Sequence, residues 1–322
     1  MAEASRKSKG TGTVVLAAMA GNMAIAAVKF VAFAFTGSTA MLTEAIHSCV
    51  DTIDQVLLLI GQNRAAKAAN DRHPFGYGME TYFWGFVVAL MIFFIGGAVS
   101  VWQGVERIMH PAPLERPWIN YLVLAFSAVF EGSSFLVAYR EFRRSTAGRR
   151  IQIRLLSFLK ASKDPGLFST LMEDGAALTG LTIAALGVTA SSYLGAPWAD
   201  GAASIAIGFL LLGVALFLTN ETRSLIAGEA AHFTVVEKIR GVIDADPLVV
   251  AVRALNTLHL GPQIILVAAE ITVCPGMEGD ALQDAIATLR DHIRDADERI
   301  GPVYLSPCSR PMRKRAAKTD AA

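Results

Sequence analysis

Glu44, His47, Asp51 and Asp54 lie in the run Glu44-Ala-Ile-His47-Ser-Cys-Val-Asp51-Thr-Ile-Asp54, whose remaining residues are mostly apolar. Imidazole nitrogen and carboxylate oxygen are donors for a divalent cation and carriers for a proton. At 100° per residue of helix, the four positions fall within roughly 80° of one another, a single polar stripe about three turns long. His47 and Asp51 have the i, i+4 spacing that lets two side chains hold one ion from one helix face. The plainer alternative is an imidazole and a carboxylate that only hydrogen-bond each other, which sets two costly groups in lipid without need; the metal site is the preferred reading. In Leu171-Met-Glu173-Asp174-Gly175 of another apolar run, Asp174 is the candidate carboxylate from a second helix, and Thr170 precedes it by one turn on the same face. Glu173 sits ~100° around that helix from Asp174, so both ligate one ion only if the helix is distorted. Its other role is to support a ligand or carry a proton. Glu44 and Asp54 are candidates for the two ends of the same track, with solvated helix ends as the alternative. Glu131, flanked by apolar residues in Phe130-Glu131-Gly-Ser-Ser134, pairs with Lys29 or carries a proton. Asp200, after Ala196-Pro197-Trp198, reads as an interface or helix-start residue.

Such groups need a scaffold that crosses a bilayer, and the composition provides one. Hydrophobic residues make up 53% of the 322 and charged residues 18%, below the ~25% usual in soluble domains, and mean hydropathy is +0.44. Six mostly apolar segments of roughly 20 or more residues begin at Thr13, Ala40, Tyr82, Trp118, Phe168 and Asp200, the length a ~30 Å hydrocarbon core requires. The second and fifth are the weakest by hydropathy because they carry the acids. The first is read as a retained span, since its apolar run is too long for a signal peptide and no convincing cleavage site ends it. Basic residues gather before span one (Arg6, Lys7, Lys9), between spans two and three (Arg64, Lys67, Arg72), between four and five (Arg140 to Lys163) and after span six (Arg223). By the positive-inside rule both termini are cytoplasmic, or on the equivalent side of an organelle membrane. The net charge of +1 gives no reason to expect nucleic acid.

The character of the chain changes after Arg223. Glu229 to Ala245 alternates apolar and charged positions with helical period, Leu248 to Leu258 and Ile264 to Val273 read as strands around Gly261-Pro262, Met277 to Arg299 is a second amphipathic helix, and Val303-Tyr304-Leu305 closes as a strand. The expected organisation is a tail over 1–12, a six-helix membrane domain over 13–222, a small cytoplasmic α/β domain over 223–309, and a disordered basic tail over 310–322. Cys49, Cys274 and Cys308 form no CxxC pattern, so a structural zinc knuckle is not expected.

Three separated motifs carry a family resemblance. Lys29 to Asp51, with Gly37-Ser38 and His47-Ser48-Cys-Val-Asp51, resembles the first two spans of the cation diffusion facilitator family of zinc transporters. His73-Pro-Phe-Gly-Tyr77-Gly-Met-Glu80 is similar to that family's loop before span three, and Leu225-Ile-Ala-Gly228-Glu229-Ala230 to its junction with the cytoplasmic domain. The likeness covers roughly residues 12 to 306. It implies an all-α six-helix transmembrane bundle with a C-terminal cytoplasmic α/β domain of ferredoxin-like, metallochaperone-like type, a homodimer, and export of divalent metal in exchange for protons. It implies no enzyme and no resident cofactor, since the metal is cargo.

The departures matter as much. Where the zinc members have a span-five histidine, this chain has Thr170, leaving Asp174; Leu171-Met-Glu173-Asp174 with Lys163-Asp164-Pro165 is similar to a divergent branch that includes the mitochondrial-type zinc transporter of animals. The expected ligands are therefore His47, Asp51 and Asp174, completed by Glu173, Thr170 or water. Zinc accepts such a site, and oxygen-rich ligation also suits manganese or iron. The loop site keeps His73 and Asp71 but has Tyr77 at the second histidine position. Positions that bridge metal in the soluble domain of relatives read Ala268-Ala269 and Leu305-Ser306, while His232, His259 and His292 share no ligand spacing. That domain is expected to dimerise by packing. Binding needs neutral His47 and ionised Asp51 and Asp174, so protons and metal compete, and alternating access would convert the competition into antiport. The rival readings are a manganese or iron exporter of the same fold, a non-transporting partner subunit, and an intramembrane metalloenzyme, which lacks an HExxH motif. The default location is a bacterial inner membrane.

Overall fold

The structure, a computed structural model, describes residues 2–112, 114, 116–146, 165–276 and 279–308. The basic stretch Arg149 to Asp164 and the basic tail 310–322 lie outside the described residues. Six long helices come first: α1 (Ala2–Thr36), α2 (Thr39–Ala65), α3 (Glu80–Met109), α4 (Pro117–Thr146), α5 (Pro165–Tyr193) and α6 (Trp198–Ile226).

Five of these are long and apolar enough to cross a membrane, α2 being the exception. Its 27 residues span about 40 Å, so length is not what it lacks. The expectation of six apolar segments narrows to five because the acids of α2 pull its hydropathy down. Its surroundings explain how it is tolerated: α2 packs against α1, α3, α5 and α6, and Glu44, His47, Ser48, Thr52 and Asp54 are buried while Ile53 and Val56 face outward. A helix with polar groups turned into the bundle keeps them from lipid.

Local chemistry fixes where α2 starts. Gly37, at φ 65°, ends α1 in the left-handed conformation and donates its N–H to Phe33 O at 2.7 Å. Ser38 then caps α2, its Oγ accepting from Met41 N at 3.2 Å. Asp200 on α6 accepts from Ser38 Oγ at 2.5 Å, Thr39 N at 2.6 Å and Thr39 Oγ1 at 2.7 Å. The helix-start acid read from the sequence thus caps the neighbouring helix and pins α2 to α6.

Helices α3 and α6 approach through glycine. A Cβ on Gly104 would stand 2.6 Å from Gly201 O, and one on Gly208 would stand 3.0 Å from Gly97 O. Both pairs are seven residues apart, the small-residue seam that lets membrane helices meet backbone to backbone. Gly97 lies in a π-helical segment of α3, Ile92–Ala98, beside that seam. Tyr82, Met41, Ile92, Phe168, Ile207, Leu211 and Leu218 fill the apolar core.

A second compact unit comprises residues 68–78 together with the described residues after Ile226. It holds α7 (Phe233–Ala245), β1 (Val249–Gly261), β2 (Ile264–Val273), α8 (Asp280–Asp295) and β3 (Ile300–Cys308), with the sheet in the order β1-β2-β3. β1 and β2 are antiparallel, and α8 is the crossover that makes β3 parallel to β2. Ile239, Ile243, Ile265, Val267, Ile271, Leu289 and Ile293 form its core. Both helices are shorter than the sequence pattern. At α7 the reason is specific: Glu229 O accepts from His259 N at 3.2 Å, Ala231 N donates to Thr257 Oγ1 at 3.0 Å, and His232 is the N-cap, so 229–231 lie along β1. The loop 68–78 folds on its own polar groups, Asn70 Oδ1 accepting from Arg72 N and His73 N and Asn70 Nδ2 donating to Tyr77 OH at 2.8 Å.

Candidate metal centre

The polar stripe of α2 faces α5 inside the bundle. His47 is 1% exposed; its Nδ1 lies 3.3 Å from Asp51 Oδ1, and its Nε2 has no hydrogen-bond partner among the described residues. A buried imidazole edge without a hydrogen-bond partner is uncommon in native structure, and a neutral ring nitrogen of this kind is a competent metal ligand. Asp51 lies where two groupings of acids meet. On one side, ligand oxygens of Asp51, Asp54 and Glu173 lie within 4.8 Å of one another. On the other, Asp51 shares the wall of a small cleft with Asn22, Ser48, Glu131, Ser134 and Asp174.

The structure places the expected residues as follows. Asp174 accepts from Ser134 Oγ of α4 at 2.9 Å and reaches the cleft. Glu173, its neighbour, turns the other way and accepts a hydrogen bond from Ser169. Thr170 Oγ1 donates to Gly166 O at 2.9 Å within α5, which leaves a hydroxyl oxygen lone pair but no free donor. Asp54, expected as one end of the track, instead belongs with Asp51 and Glu173. It is fully buried and both its carboxylate oxygens lack a hydrogen-bond partner among the described residues. His47 is not part of that trio.

Lys29 organises the remaining acids. Its fully buried ammonium donates to Glu131 Oε1 at 2.9 Å, Glu44 Oε2 at 3.1 Å and Ser48 Oγ at 2.9 Å. The Lys29–Glu131 pairing was one of the two sequence expectations; the addition of Glu44 was not foreseen, because the i, i+3 position of Glu44 next to His47 assigned it to the ion track. Glu44 Oε1 and Glu131 Oε2 remain without partners among the described residues. Six carboxyl groups, Glu44, Asp51, Asp54, Glu131, Glu173 and Asp174, thus lie in this part of the bundle with one lysine and one histidine. Buried negative charge in such excess is stable only with protons or cations bound. Chemically the arrangement can hold a hard or borderline divalent cation between α2 and α5 and exchange it for protons.

In the second unit, His73 stacks on Tyr77 with ring centroids 4.2 Å apart, and His232 Nδ1 and Thr234 Oγ1 are 3.0 Å apart at the α7 cap. His292 Nδ1 lies 3.8 Å from Asp246 Oδ2. Among the described residues, no group of three metal-binding side chains forms there.

Residues 15–227, more than half of the chain, match the cation efflux transmembrane domain. The chain is 32% identical over 263 residues to the proton-coupled zinc antiporter SLC30A9, mitochondrial, of Xenopus laevis, a match covering 82% of this chain and 47% of that protein. It is 29% identical over 250 residues to metal tolerance protein C4 of Arabidopsis thaliana, covering 78% of this chain and 54% of that one. With magnetosome protein MamM of Magnetospirillum gryphiswaldense it shares 25% identity over 238 residues, covering 69% of each. The chain spans about half the length of the first two relatives.

Proposed function

The chain belongs to the cation efflux family, a family of membrane transporters and not of enzymes, and on that premise we propose that it exports zinc by proton-coupled antiport. The observation that carries the proposal is the buried His47–Asp51 pair of α2, set beside the carboxylates of α5 with its imidazole Nε2 unpartnered. His47, Asp51 and Asp174 hold the ion in this reading, and Thr170 or water completes its shell. Neutral imidazole and ionised carboxylates bind metal, so each proton taken up favours release. Glu44, Glu131 and Lys29 line the route along which protons reach the site. The second unit dimerises by packing. Basic residues Arg64, Lys67 and Arg72 orient both termini to the cytoplasmic side of a bacterial inner membrane, or to the equivalent face of an organelle membrane.

An imidazole ligand favours zinc, and the Xenopus relative is named as a zinc antiporter. The trio of Asp51, Asp54 and Glu173 offers oxygen alone, which favours the second reading, manganese or iron as cargo. Competition flux separates them. In proteoliposomes of the purified chain under a pH gradient, zinc is expected to inhibit manganese and iron flux at concentrations where the reverse competition fails. Manganese or iron prevailing instead moves the cargo to the second reading, and no flux of any divalent ion makes the chain a partner subunit.

A further inference from the structure

We infer that Asp51, Asp54 and Glu173 form a second divalent-cation site, one turn along α2 from the His47–Asp51–Asp174 site and sharing Asp51 with it.

Two independent observations point there. The first is geometric: one oxygen from each of the three carboxyl groups lies within 4.8 Å of the others, a spacing at which a single ion can touch all three. The second is the state of Asp54. It is 0% exposed, and neither of its oxygens has a hydrogen-bond partner among the described residues, so none of them compensates its burial by a hydrogen bond. An unpartnered buried carboxyl normally costs several kcal/mol; one aimed at two further carboxyl groups is compensated by a cation.

The trio is not the Asp174 site viewed differently. Asp174 is held by Ser134 of α4 and lines the cleft with Ser48 and Glu131, whereas Glu173 is held by Ser169 on its own helix and points ~100° away around α5. Asp51 therefore has acids on both flanks, and its two oxygens can serve two centres. The trio lies toward the end of α2 that carries Arg64, so an ion held there waits one helical turn from the transport site. Oxygen-only ligation makes it the less selective of the two, while the imidazole of the inner site discriminates in favour of zinc. This inference rests on the proposed transport site only through the shared Asp51.

The test is zinc stoichiometry at saturation on the full chain in nanodiscs, read as differences from wild type so that ions bound elsewhere cancel. Asp54→Asn and Glu173→Gln are each expected to lose one zinc per chain, Asp174→Asn one, and Asp54→Asn combined with Asp174→Asn two. Both single replacements in the trio are isosteric, and thermal unfolding of the same samples identifies any that fail to fold. If Asp54→Asn and Glu173→Gln each retain full stoichiometry, or if Asp54→Asn and Asp174→Asn each lose one ion and the double variant also loses only one, the second site does not exist. Loss of one ion in Asp54→Asn with none in Asp174→Asn upholds the trio and overturns the transport site instead, so the two failures are distinguishable.

Discussion

Lys29 is the residue whose removal should be felt most. Its ammonium is fully buried and bridges Glu44 and Glu131 from two other helices, so Lys29→Met leaves two carboxylates facing each other without a counter-charge. Breaking a buried pair by removing one partner costs about 3–5 kcal/mol, and the expected outcome is a matching loss of stability in thermal unfolding of the detergent-solubilised chain. Replacing the acids as well, in Lys29→Met/Glu44→Gln/Glu131→Gln, should restore most of it; a triple variant no better than the single one would show that the lysine stem, and not its charge, is what matters. Much at this scale is legible in sequence, because ionisable residues inside apolar runs announce themselves: His47, Asp51, Asp174 and the Lys29–Glu131 pair all stand out that way. The grouping of Asp54 with Glu173 is not legible from one helix at a time. Helical angle alone assigns Asp54 to the end of a track and turns Glu173 away, and only the packing of α2 on α5 brings the two together on Asp51.

Among the six long helices, α2 is the one whose acids keep it from being apolar enough to cross a membrane by composition alone, and its place is fixed by neighbours. Asp200 accepts three hydrogen bonds from Ser38 and Thr39, so Asp200→Ala removes the cap support of α2 and strands a part-buried backbone N–H. A cost of about 1–2 kcal/mol is expected in the same unfolding assay. The α3–α6 seam makes a sharper prediction. A side chain at Gly208 meets Val101 N at 2.9 Å and Gly97 O at 3.0 Å, both backbone, so Gly208→Val must separate the helices, at about 1–3 kcal/mol. Gly213, on the same helix, has nothing within 4 Å of an added Cβ, and Gly213→Ala should leave stability unchanged or slightly higher. Equal losses at the two positions would contradict the seam. The helices and strands themselves were readable from hydrophobic period and turn residues. The glycine seam was not, because a glycine in an apolar run looks the same whether it faces lipid or another backbone.

On the scale of the whole molecule, the two units answer to pH differently. In the second unit, Arg299 Nε and Nη2 hydrogen-bond Asp297 at 2.8 and 3.0 Å and hold its carboxyl below the usual carboxylate value. A depressed native value means that this stabilisation is full above the unfolded value of about 3.9 and fades as pH falls through the native one. Urea unfolding of the second unit should therefore weaken below about pH 4, and Arg299→Gln should flatten that dependence. In the proposed antiport the membrane unit uses pH for work, since every proton accepted by its buried acids would compete with metal. That the chain changes character after Arg223 is legible from hydropathy; that 68–78 groups with the second unit is not, because nothing local in Asn70 to Gly78 names its tertiary partner. The most direct measurement is metal-driven proton flux in proteoliposomes of the wild-type chain and of Asp51→Ala. Zinc added to wild-type vesicles is expected to drive protons in the opposite direction, and the variant, folded by its unfolding curve, to drive none. Proton flux in Asp51→Ala equal to wild type would contradict the account.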